Sequence, residues 1–386
     1  MNFLMKSAWS ALLLAPAIGL APPASAAFPL ADPSQPGSVI VFPKWITGTV
    51  VTEGTTLPKT EIELGAVCPV GVACAEHAPI KVRLHWVCGG ADKIDNKFIC
   101  PSDDFDVTFS VDGKAVFDPE NLAVTGSVRH VVPHPPFNVD GTPCTRGYLI
   151  GYVVNLRDQP VRFDGLVGDA VIRNSNTAVS AYKAITIQAD PALANYDGTN
   201  FAAAAIGLTP DPFVGGENRL PFDGKPGHYA QVTGQISGDV KYDDPVGPTF
   251  VTTGLTLLTL DVRQNQPNYP TFAPLKFWSE DEVDVSTPGV HFICFGTFTL
   301  STQIDANLTR QQMGTRKGVF VSQQAFKSPI GGIEDEDGPV TLLGLVHTFE
   351  SAAPGGLDRS YVYEPFNNGA AVPTFFLPPC NALGQC

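Results

Sequence analysis

The chain has 386 residues, with 24 lysines and arginines against 38 aspartates and glutamates, giving a formal charge of −14. An acidic surface repels phosphate backbones and anionic headgroups, so nucleic acid and membrane surfaces are poor partners, and 44% hydrophobic content excludes a disordered chain. The 16% charged content, 35 prolines and 37 glycines predict short elements between frequent turns, with apolar material for one large core or two smaller ones.

Residues 1–26 read as a secretory signal. Lys6 precedes an apolar stretch too short to span a bilayer, and Ala24-Ser25-Ala26 forms a small-residue cleavage box. Loss of Lys6 leaves −14 − 1 = −15 on the remaining chain. No later run of about 18 apolar residues predicts a membrane helix. The expectation is a secreted or periplasmic protein.

Downstream, short stretches rich in Val, Ile, Thr and Phe predict strands. They are SVIVF (38–42), TEIELGAV (60–67), IKVRLHWV (80–87), FDVTFSV (105–111), GYLIGYVVN (147–155), GLVGDAVI (165–172) and AYKAITIQA (181–189). In IKVRLHWV, alternation places Ile80, Val82, Leu84 and Trp86 on one face and Lys81, Arg83, His85 and Val87 on the other, more polar one. A loop-like stretch follows, with one short helix expected over 201–207. The second series is GLTLLTLDV (254–262), LKFW (275–278), HFICFGTFTLS (291–301), KGVFVSQQAF (317–326) and TLLGLVHTF (341–349). The fold class is therefore all-β, as two β-sandwich, jelly-roll-like lobes at 27–190 and 246–386 joined by a loop-rich linker at 191–245. HWVCGG (85–90) and HFICFG (291–296) precede similar strands in similar order, which suggests a diverged internal duplication.

The eight cysteines are Cys68, Cys74, Cys88, Cys100, Cys144, Cys294, Cys380 and Cys386. In an exported chain an even count reads as disulfides. Cheap closure of short loops favours Cys68–Cys74, Cys88–Cys100 and Cys380–Cys386, leaving Cys144 for Cys294.

GSVIVFPKW after the signal, followed by TEIEL, VRLHWVC, CPSDDFDVTF and GYLIGYVVN, resembles a group of uncharacterised exported bacterial proteins with a GS-aliphatic-VFP opening and cysteine-bearing strands. The resemblance implies a β-sandwich and export, and supplies no activity.

Several patterns bear on chemistry. His130 and His134 in HVVPH have the spacing of zinc ligands on a helix, but Pro133, Pro135 and Pro136 forbid that helix and favour a surface loop. The two H-x-x-C segments are poor zinc sites, because oxidation consumes thiolates and residues three apart on a strand face opposite ways. WSEDEVDVST (278–287) is similar to the E-x-D-x-x-E strand of laminarinase-type glycoside hydrolases. Glu282 and Asp284 match the nucleophile and helper, but Thr287 stands where the acid/base belongs, leaving Glu280 as the substitute; a retaining pair needs carboxyls about 5 to 5.5 Å apart. Acidic runs at 103–106, 242–244 and 333–338, the last with Asp335 and Asp337, offer oxygen ligands that suit Ca2+; no other cofactor is expected. G-x-S-x-G, G-x-x-x-x-G-K-[ST] and C-x-x-C-H are absent. Trp45, Trp86, Trp278 and Tyr361 offer rings for sugars or for packing. The reading is a non-catalytic, disulfide-stabilised protein in binding, adhesion or envelope structure, its partner a carbohydrate or another envelope protein. The alternative is a carbohydrate-active hydrolase using Glu280, Glu282 and Asp284.

Overall fold

The computed structural model describes residues 30–48, 59–89, 92–94, 97–119, 125–126, 133–138, 140–173, 179–200, 203–210, 218–260, 262, 267–327, 340–352, 359–363, 366–371 and 375–376. Antiparallel strands dominate, and every predicted strand is present within a few residues. One five-stranded sheet runs in spatial order Ile185–Ile187, Val39–Ile46, Arg146–Val154, Pro79–Cys88 and Ser102–Ser110. A second stacks on it in the order Val179–Lys183, Leu166–Arg173, Lys59–Ala66, Lys114–Phe117 and Thr125–Gly126.

The first sheet explains why SVIVF and GYLIGYVV read as continuous apolar runs where TEIEL alternates. Ile40, Phe42, Leu84 and Trp86 enter a core shared with the second sheet, while Val39, Val41, Ile150 and Tyr152 enter a separate core on the opposite face. That second core includes Leu258, Phe295 and Leu343 from the later part of the chain. The sheet is therefore covered on both sides, the condition under which strands lose their polar alternation. His85 shares the face of Lys81 and Arg83 as the alternation predicts, but under this second covering layer it is completely buried while they are half-buried.

A third core lies within the later half, between the sheet Asp284–Ser286, Leu275–Ser279, Lys317–Ser322, Thr233–Lys241, Phe366–Ala371 and the sheet Phe295–Thr299, Thr249–Leu258, Leu343–Ala352, Arg359–Tyr363. Phe277, Phe320, Leu255 and Val346 interlock there. Thr233–Lys241 falls inside the stretch read as loop. Its weak signal comes from Gly234 and Gly238 diluting an alternation carried by Ile236 and Val240. No helix occurs among the described residues 203–207.

Among the described residues three disulfides are present: Cys68–Cys74, Cys88–Cys144 and Cys100–Cys294. The first matches expectation. Cys88–Cys100 and Cys144–Cys294 are corrected, and the reason is sheet geometry. Cys88 faces the first core together with Cys144, while Cys100 faces the second together with Cys294, so the sheet itself separates the nearer pair. A covalent tie between the two halves of the chain exists as expected, through a different cysteine. Cys380 and Cys386 lie outside the described residues, as do residues 1–26.

Candidate functional site

The two histidine-bearing segments differ in setting. His85 stacks on Tyr152 with ring centroids 5.5 Å apart, and its Nε2 lies 3.2 Å from the Tyr152 hydroxyl. Burial pushes the Tyr152 phenol well above its ordinary range, so it stays protonated. His291 is exposed on the three-residue strand Val290–Phe292, with its ring 4.6 Å from Phe272. HWVCGG is a central strand end and HFICFG bridges two short strands, yet the segments meet: a Cβ on Gly89 would come within 2.5 Å of the Phe295 ring. The shared letters mark two sides of one junction.

Of His130, His134, Asp335 and Asp337, read as metal ligands, His134 alone is among the described residues. His134 is exposed beside Pro135, while His130, Asp335 and Asp337 lie outside the described residues. Among the described residues no group of three or more His, Cys, Asp or Glu side chains is arranged to hold an ion. Two of the acidic runs serve the fold. Asp106 accepts from Arg83 at 2.9 Å and from Lys81 at 2.8 Å; burial opposes its charge, but these bonds hold its carboxyl below the ordinary value. Asp244 is wholly buried and accepts from Arg316 at 2.6 Å, from Arg310 at 3.1 Å and from the Gln311 amide at 3.0 Å.

A serine and a histidine also approach each other. The Ser180 hydroxyl lies 3.4 Å from His347 Nε2, the spacing of a loose nucleophile and base. Burial, helped by the charge of Lys44, pushes the His347 imidazole down to about 3, so it is a poor acceptor for a serine proton near neutrality. Both residues are also buried, so the pair is a polar weld between strands 179–183 and 343–352.

The acidic stretch behaves differently from the hydrolase pattern. Strand Leu275–Ser279 ends before Glu280, and a tight turn follows in which the Glu282 N–H donates to the Ser279 carbonyl at 3.1 Å and Glu282 adopts φ 61°. Asp284 then opens the returning strand opposite Trp278. Glu280, Glu282 and Asp284 thus sit around a hairpin and do not share one strand face. Asp284 pairs with Lys276 at 3.0 Å and Glu280 with Lys317 at 3.6 Å.

What the hairpin builds is a surface. An open groove of about 400 Å³ is lined by Trp278, Val319, Asp239, Glu280, Lys241 and Lys317, among others. Its floor is the outer face of the sheet: Trp278 opposes Val319, which opposes Asp239, and Lys317 opposes Lys241 one row along. Trp278 is half-buried, with its backbone carbonyl accepting from the buried Tyr242 hydroxyl at 2.7 Å and the Lys276 ammonium 4.9 Å from its ring centroid. Trp45 and Trp86, by contrast, are fully buried against each other at 5.4 Å. Tyr361 lies in strand Arg359–Tyr363.

The outward row continues upstream of what the sequence reading marked. In TFAPLKFWS (271–279), Thr271, Ala273, Leu275 and Phe277 are buried while Phe272, Pro274, Lys276 and Trp278 point outward. The Pro274 carbonyl accepts from the Gln323 N–H at 2.9 Å, which keeps the run tied to its neighbour across the proline. The period-two alternation runs through Pro274, although the proline divides the stretch into the separate strands Thr271–Ala273 and Leu275–Ser279. No protein-family profile matches this sequence, and no curated protein matches it.

Proposed function

We propose that this chain is an exported, non-catalytic β-sandwich protein that binds carbohydrate on the outer face of its later sandwich, in an adhesion or cell-envelope role. The carrying observation is Trp278, held half-exposed on a sheet beside Val319 and Asp239, with the neighbouring Lys276 and Lys317 already paired to Asp284 and Glu280. An indole face suits the C–H face of a pyranose, and flanking carboxylates and ammoniums suit hydroxyls. The pairing of all six described cysteines supports an oxidising, secreted or periplasmic setting. No helix among the described residues is long and apolar enough to cross a membrane.

The test is calorimetric titration with neutral oligosaccharides. Affinity should fall roughly tenfold or more in W278A, the equivalent of about 1.4 kcal/mol, with the melting temperature unchanged. Equal affinity in wild type and W278A would sink the proposal. A hydrolase on Glu280, Glu282 and Asp284 has less support, since only Glu280 of the three lines the groove, where Asp239 joins it. Turnover of the bound sugar, lost in E280Q, would favour that reading instead.

A further inference from the structure

Upstream of the Trp278 groove, on the neighbouring three-stranded sheet, stands a cluster of three rings. His291, Phe272 and Phe326 stand side by side on the strands Val290–Phe292, Thr271–Ala273 and Phe326–Lys327, in register as His291 opposite Phe272 and Phe272 opposite Phe326. The His291 and Phe272 rings are tilted at 4.6 Å, and Phe272 and Phe326 meet edge to face at 5.2 Å. His291 is exposed and Phe326 is 40% exposed, so this cluster is not core packing. Gly289, at φ +79°, keeps one flank clear: a Cβ there would come within 2.7 Å of the Phe272 ring.

Phe272 and Trp278 take alternate, half-exposed positions six residues apart on the successive strands Thr271–Ala273 and Leu275–Ser279, which belong to two sheets; an extended run of that length measures about 20 Å. Between them the one cation, Lys276, pairs with Asp284, and just beyond Trp278 Lys317 pairs with Glu280, so no unpaired cation among the described residues stands along the run to draw an anionic polymer. Ring faces at both ends and hydrogen-bonding groups between them match an extended, neutral, hydroxyl-rich chain. We infer that the Phe272–Phe326–His291 cluster is a second subsite for a linear neutral polysaccharide that also occupies Trp278, so that a chain long enough to reach both binds more tightly than a disaccharide. This rests on the carbohydrate reading of the Trp278 groove.

The experiment is titration of the full chain with disaccharides and hexasaccharides of the cello-, chito- and malto-series. Two linked subsites should make the best hexasaccharide bind at least about 100-fold more tightly than its disaccharide. F326A and F272A should each cut that advantage by roughly tenfold or more while leaving disaccharide affinity at Trp278 unchanged. Loss of both affinities in W278A alone, with F326A and F272A as wild type, would keep the groove and discard the second subsite. Equal affinity for short and long sugars would also discard it, and no binding in any series would remove both. A concentration-dependent dimer abolished by F326A would instead assign the cluster to self-association and overturn the inference. Unchanged melting temperatures in the variants exclude misfolding as the cause.

Discussion

Lys44 is the residue whose position asks most of the fold. Phe42 pairs with Leu149 and Trp45 with Gly147, so three steps along one strand match two along its neighbour. This bulge turns Trp45 into the same core as Phe42 and leaves Lys44 nine-tenths buried on the way. Asp244 shows how the molecule otherwise handles a buried charge, with two guanidiniums and an amide around it. No ion pair forms to Lys44 among the described residues, and burial, with Arg146 nearby, pushes its ammonium down to about 8. Near neutrality it therefore remains mostly charged at a cost. K44M should raise stability by roughly 1–3 kcal/mol at pH 7, read from the urea midpoint. Lys44 and His347 both bind protons less readily folded than unfolded. Stability contributed by His347 is thus lost as pH falls from 6.5 toward about 3, and that of Lys44 increases as pH rises from about 8 to 10.5. Urea midpoints across the acid window should fall less steeply in H347N than in wild type, and identical slopes would clear the imidazole of any part in acid loss.

At the scale of elements, the disulfides divide by what they hold. Cys68–Cys74 closes a turn of separation 6, whereas Cys100–Cys294 spans 194 residues. Loop-closure entropy alone assigns the longer tie on the order of 4–5 kcal/mol and the shorter about half of that. Chemical denaturation of C100S/C294S against C68S/C74S should show the first pair losing more; the reverse order would mean that the unfolded halves stay associated without a covalent link. The strands themselves were legible in the sequence, because valine, isoleucine and threonine runs between turn residues decide their place locally. The cysteine partners were not, because which face Cys88 and Cys100 point to depends on a covering layer contributed by residues near 258, 295 and 343. The Trp278 ring is legible in the sequence, whereas the adjacency of Phe272 and Phe326 exists only once two distant strands have paired.

For the whole molecule, the middle core matters most. Val39, Val41 and Tyr152 from the earlier half and Leu258, Leu260 and Phe295 from the later half fill it together, so neither half can bury its surface alone. Calorimetry should therefore show a single cooperative transition, with equal calorimetric and van't Hoff enthalpies. Two resolved transitions would mean that the sandwiches are independent units. The crossing of Cys88–Cys144 with Cys100–Cys294 has a consequence for how such a molecule is made. Synthesis delivers Cys88 and Cys100 first, then Cys144, and the true partner of Cys100 last. Once Cys68 and Cys74 have closed their own short loop, the cheapest bond open to Cys88 and Cys100 is a wrong one, with each other. Maturation must therefore delay oxidation or undo it by thiol exchange, and the completed Cys100–Cys294 bridge serves as a record that strands of both halves have met.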